Sequence, residues 1–189
     1  MTALSSTTSN FDMTIEDVID REKIRDVLMR YVRGIDRRDA ELLRTVYWPD
    51  AIDDHTLYVG KVEGFIEYFF DHYKDHVVTI HNIGSIIIDL QGEMARTESY
   101  YTYFHRRKVD GDFLDLMTAG RYVDRFEKRG REWRIAARTV TLDWKADERK
   151  MGDWDQGFQF PGADVYPNDV IYTWSEYSNI PNQDGKSGV

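Results

Sequence analysis

Apolar residues recur at helical spacing in the N-terminal part of the chain and crowd into β-branched, alternating runs from about residue 76 onward, so helices precede strands. Ile15, Val18, Ile19, Ile24, Val27, Leu28, Tyr31 and Ile35 form one stripe, which predicts a helix from about 14 to 35. Thr14 suits its N-cap, Glu16 and Asp17 lie at its positive end, and Gly34 lies near its close. Asp39 is placed to cap a second helix, AELLRTVYW, which Pro49 stops. A short strand and turn are expected over 51–60. A third helix over 61–74 carries Val62, Phe65, Ile66, Phe69, Phe70 and Tyr73.

The later segments read as four long strands. HVVTIHNIGSIIIDL is rich in β-branched residues, with Gly84–Ser85 suited to a bulge. Gly92 turns the chain into MARTESYYTYFHRRKV, the DGD at 110–112 into FLDLMTAGRYVDRFEK, and RGRE into EWRIAARTVTLDW. Three helices followed by long antiparallel strands make an α+β domain, with helices covering one face of a curved sheet. Residues 1–13 read as a flexible leader and 14–144 as the single domain. The segment 145–189 is irregular yet aromatic (Trp154, Phe158, Tyr166, Tyr172 and Trp174 among others) and is expected to cross a pocket mouth or a neighbouring subunit.

Composition narrows the function. With 41% apolar and 31% charged residues the chain is an ordinary soluble protein, but its 12 Tyr, 9 Phe and 5 Trp suit an aromatic-lined pocket or an interface. A net charge of −9 with no clear Lys/Arg stripe argues against a nucleic-acid partner. The absence of cysteine rules out disulfides, thiolate metal sites and a Cys nucleophile. The longest apolar stretch, near Ile86–Ile88, is too short to span a bilayer, and no signal peptide opens the chain. A cytoplasmic protein without a membrane partner is therefore expected.

The candidate chemistry lies in three distant segments: YVRGID at 31–36, TIHN at 79–82 and EWRIAARTVTLDW at 132–144. Together they offer a Tyr, an Asp, a His and an Arg. An Asp with a His is the minimal pair for moving a proton, and an Arg can hold the charge that develops as a bond breaks. Strand alternation puts Tyr101, Tyr103 and His105 on one face, as for a polar pocket lining. It also aligns Arg134, Ala136, Arg138, Val140 and Leu142, with Arg121 and Arg134 as rivals of Arg138 for a site role. His55, His72 and His76 stand among acids, and His72 and His76 share an i,i+4 spacing. They read as wet surface, and no metal is expected.

The order of elements, IDRRD after the first helix, an isolated strand His, and ESY, GRYVDRFE, EWRIA and TLDW together resemble the SnoaL-like branch of the nuclear-transport-factor-2-like superfamily. The resemblance spans about residues 14–144. It implies a cystatin-like cone: three N-terminal helices on a curved, mostly antiparallel sheet enclosing a pocket. It is similar in particular to cofactor-independent lyases of the scytalone dehydratase, bile-acid 7α-dehydratase and hexachlorocyclohexane dehydrochlorinase type. By that pattern Asp36 matches the Asp of their catalytic pair and His81 its His. Tyr31 and Arg138 fall at positions that handle the leaving group, and His105 matches a second His. His81 would then be the base and Asp36 its orienter, with Tyr31, Tyr47 or Tyr103 as proton donor and Tyr47, Tyr101, Tyr103 and His105 against the substrate. The implied activity is elimination (of water, halide or formaldehyde) from a small apolar, oxygenated aromatic molecule without a cofactor, by a homotrimer. An isomerase with the same base and a non-catalytic assembly subunit are the alternatives.

Overall fold

Thr14 and Asp17 open the first helix by capping each other. Thr14 Oγ1 accepts from the Asp17 N–H at 3.1 Å, and Asp17 Oδ2 accepts from the Thr14 N–H at 2.8 Å. The computed structural model describes residues 13–146 and 164–173, so nearly all of the expected leader and most of the aromatic extension lie outside the described residues. From its cap α1 runs Ile15–Arg37 and closes where Arg38 turns left-handed at φ 53°. It thus continues past the apolar stripe and carries Asp36 in its last turn. Gly34 does not end the helix. A Cβ there would come within 2.8 Å of Leu43 Cδ2, so glycine lets α2 (Ala40–Val46) pack closely. Asp39 caps α2 by accepting from the Leu42 N–H at 2.9 Å.

β1 (Tyr47–Asp54) begins directly after α2 and includes Pro49, earlier than the expected strand. β2 (Val59–Lys61), α3 (Val62–His72), β3 (His76–Gln91), β4 (Met94–Val109), β5 (Asp112–Arg129) and β6 (Glu132–Lys145) follow, with a short α4 (Val170–Thr173) beyond. The sheet runs β2-β1-β6-β5-β4-β3 and does not close. Among the described strands only β1 and β6 pair in parallel. The first three helices cover one face, where Ile24, Leu28 and Ile35 of α1 join Leu43, Phe65, Phe126 and Ile135 in the core. Each such side chain contributes about 1.5–3 kcal/mol by leaving water. Among the described residues, no helix is long and apolar enough to cross a membrane.

Two of the sheet's register shifts bear on the candidate site. At Gly84–Ser85, Ile83 pairs with Tyr101 and Ile86 with Ser99, so β3 holds one extra residue there, as its glycine suggested. The second is at Ala136: Ile135 pairs with Phe126, but Ala137 pairs with Arg125. The inward face switches at that point, with Trp133 and Ile135 buried before it and Arg138 after it. The face predicted from Arg134 to Leu142 is thereby broken. Arg134 instead lays its guanidinium over the Trp48 ring at 4.8 Å, while Arg138 enters the core and Leu142 is exposed.

Candidate active site

The end of α1 meets the edge strand β3 through one carboxylate. Asp36 Oδ1 lies 2.6 Å from His81 Nδ1, and Asp36 Oδ2 accepts the His81 backbone N–H at 2.8 Å. That N–H is available because, among the described residues, β3 has a strand on one side only. Thr79 Oγ1 donates to the Asp36 carbonyl at 3.3 Å, and Arg38 Nη2 donates to the His76 carbonyl at 2.7 Å, so two further bonds hold the helix end to the strand. A carboxylate in the last turn of a helix sits at the negative end of the helix dipole, an unfavourable place. The two donors from His81 offset that cost. Because a carboxylate only accepts, the ring proton belongs on Nδ1, which leaves the Nε2 lone pair free. His81 Nε2 has no hydrogen-bond partner among the described residues.

Aromatic rings surround this pair. His81 and Tyr103 are register partners on β3 and β4, and their rings stack at 4.4 Å. The Tyr103 hydroxyl shares a 3.0 Å hydrogen bond with His105 Nδ1, and burial holds that hydroxyl well above the ordinary tyrosine range. Tyr73, at the end of α3, lies parallel to Tyr103 at 6.2 Å. Asp36, His81, Tyr103 and His105 therefore come together.

Tyr31, Tyr47 and Arg138 come together elsewhere. Arg138 is fully buried, and it donates to Asp124 twice, Nε to Oδ1 at 2.7 Å and Nη2 to Oδ2 at 2.8 Å. Its guanidinium lies 3.9 Å from the Tyr31 ring centre and 4.2 Å from that of Tyr122. Burial, the largest influence, would lower its affinity for the proton, but Asp124 with Tyr47 and Tyr31 together outweigh it and keep the guanidinium charged. Tyr47 donates to Asp53 Oδ2 at 2.6 Å, Asp53 Oδ1 pairs with His55 Nδ1, and His55 Nε2 lies 3.4 Å from the Tyr31 hydroxyl. Tyr101 links the clusters: it neighbours Tyr103 on one face of β4 and stacks on Tyr122 at 4.6 Å, and Tyr122 meets Tyr31 at 5.5 Å. The Tyr101 hydroxyl donates to the Thr141 carbonyl.

Two of the three histidines expected at a wet surface, His55 and His76, are corrected by this arrangement. His72 is exposed, but His76 is buried beside His105, with ring centres 4.3 Å apart, and the His55 side chain is only 11% exposed. The signal for His55 was the alternation of β1: Ala51 and Asp53 are buried and Ile52 points out, so an acid two residues before a His already faced inward. Among the described residues no group of three or more His, Cys, Asp or Glu could hold a metal ion. A cleft of about 400 Å³ opens beside α1 and the β5–β6 turn, lined by Lys23, Asp26, Arg30, Arg131, Glu132 and Arg134. It does not include the Asp36–His81 pair, whose surroundings are occupied by tyrosine and histidine rings.

Among protein-family models, one described as a SnoaL-like domain matches residues 16–139. No curated protein matches the chain. Solved structures share its fold. One is a hexachlorocyclohexane dehydrochlorinase of type 2, 16% identical, with 76% of this chain and 99% of that one covered and a TM-score of 0.68. A scytalone-dehydratase-like protein from Novosphingobium aromaticivorans is 16% identical, with 82% and 98% covered and a TM-score of 0.64. A protein of unknown function with a cystatin-like fold from Nostoc punctiforme is 19% identical, with 66% and 92% covered and a TM-score of 0.55. At these identities the likeness is one of fold.

Proposed function

The chain belongs to the SnoaL-like domain family, and from that premise we propose that it is a cofactor-independent lyase acting by acid–base elimination on a small, largely apolar, oxygenated aromatic molecule. The observation that carries this reading is the double hold of Asp36 on His81, through ring and backbone, with Nε2 left open. His81 Nε2 takes a proton from carbon; Asp36 fixes the tautomer and stabilises the imidazolium that forms. Tyr103 and His105 contact the substrate beside His81, Tyr101 walls the interior, and Tyr47 supports it through Asp53. Tyr31 assists departure of the leaving group. Arg138, its charge matched by Asp124, acts through the Tyr31 ring.

Two fold neighbours are named for eliminations, a dehydrochlorinase and a scytalone-dehydratase-like protein, which supports this class of reaction. An assembly subunit has no need for Asp36 and His81 to meet. Exposed apolar residues on the sheet, Ile80, Ile87, Tyr100, Met117 and Trp144, support self-association as a trimer, and light scattering that gives a monomer mass would contradict it. The test of the activity is turnover, followed by ultraviolet absorbance without added cofactor or metal, of aryl-propane diols, aryl alcohols, hydroxysteroids and halocarbons. New conjugated absorbance that both His81→Ala and Asp36→Asn lose, while staying folded, is the expected result. Activity that survives both variants would sink the assignment. A product isomeric with its substrate would identify the same base at work in a double-bond shift.

A further inference from the structure

A second Asp–His pair lies at the other end of the tyrosine row, and the elimination described so far gives its histidine no part. Asp53 is fully buried with both oxygens engaged, Oδ2 by the Tyr47 hydroxyl and Oδ1 by His55 Nδ1. The His55 ring is clamped against Phe65 at 4.7 Å and Phe69 at 4.8 Å. Its remaining nitrogen faces the Tyr31 hydroxyl at 3.4 Å. Tyr31 is 1% exposed and Asp53 0%, whereas the His55 side chain is 11% exposed, so His55 is where this buried network reaches solvent. Purely structural hydrogen bonding would need no ionisable ring at that junction.

We infer that Asp53 and His55 are positioning residues that relay protons from solvent to the Tyr31 hydroxyl, and that the substrate is accordingly an alcohol, whose departing oxygen must be protonated, and not a halide. This rests on the lyase reading and names its leaving group. His81 removes the proton from carbon, and the C–H electron pair becomes the new C=C π bond. The C–O pair leaves with the oxygen, which takes the Tyr31 proton and departs as water. His55, with a proton on each ring nitrogen, donates to Asp53 through Nδ1 and returns a proton to the Tyr31 oxygen through Nε2. Solvent then reprotonates His55 and accepts the proton held by His81. Chloride, the anion of a strong acid, leaves without such help.

The matched probes are 4-hydroxy-4-phenylbutan-2-one and 4-chloro-4-phenylbutan-2-one, which give the same conjugated enone. His55→Gln is expected to slow the hydroxy ketone by about 10²-fold or more, the range a general acid contributes, and the chloro ketone by less than about threefold. Equal slowing of both would overturn the relay. His81→Ala slows both, so a failure of the base assignment shows separately. If the wild type turns over neither ketone, the relay is judged without substrate, by nitrogen-15 spectra of the histidine rings. There the His55 Nε2 resonance is expected to move on Tyr31→Phe, and a resonance that stays in place would overturn the contact on which the relay depends.

Discussion

The two Asp–His pairs are built from the same groups and differ in what the far ring nitrogen meets. At the first pair a helix-end Asp36 grips an edge-strand His81 twice, and Nε2 faces no partner among the described residues. At the second, Asp53 and His55 lie two residues apart, and Nε2 is occupied by Tyr31. In the proposed reaction the first takes a proton from the substrate, and the second passes protons between solvent and the tyrosine already there. An Asp–His contact by itself therefore says little about role, and the occupancy of the remaining nitrogen says most. The Arg138–Asp124 pair marks the other limit, since both its charges are enclosed.

The largest effect expected is on turnover. Asp36→Asn should lower it by about 10²–10⁴-fold, because the amide can hold His81 in the wrong tautomer, and steady-state rates beside circular dichroism check this. Next is the enclosed pair: Arg138→Met leaves Asp124 buried and unpaired and should lower unfolding free energy by about 3–5 kcal/mol. Urea denaturation measures that loss, and Arg138→Met with Asp124→Leu should regain most of it.

His76, beside the first pair, sharpens the contrast through pH. Burial first, then His105, His72, Arg38 and Arg107, push its pKa down to about 3, from the ordinary histidine value of about 6.5. Between those values the unfolded chain binds a proton that the folded protein refuses, so stability falls as pH drops from about 6.5 toward 3, at up to about 1.4 kcal/mol per pH unit. His76→Gln should flatten that slope in thermal melts at stepped pH. The smallest effect concerns the joint between the regions. A Cβ at Gly120 would strike the Thr141 carbonyl and crowd the Tyr101 hydroxyl. Gly120→Ala should destabilise by about 1–3 kcal/mol, read from its urea midpoint.

Much of this was legible in sequence, for identifiable reasons. The α1 stripe, the Thr14 cap, the long strands and the Gly84 bulge carry local signals, periodicity and special residues, and the structure has them. The Ala136 bulge carries none, because alanine fits either face, and this is why Arg134 and Arg138 seemed to share a face. Asp36 and His81 could be named from separate segments, but only the extra helical length past Ile35 and the edge position of β3 bring them within 2.6 Å. His55 was hidden by composition: neighbouring acids suggest solvent, while the alternation of β1 turns one of them, Asp53, into the core.

Proton abstraction can be watched apart from any leaving group. We would incubate the protein in D₂O with 4-phenylbutan-2-one, which has the acidic C3 protons but nothing to expel, and follow the C3 signal by proton NMR. Wild type and His55→Gln should exchange C3 hydrogen for deuterium well above the buffer rate, while His81→Ala and Asp36→Asn fall to it. Exchange that persists in His81→Ala would contradict the assignment of His81 as the base.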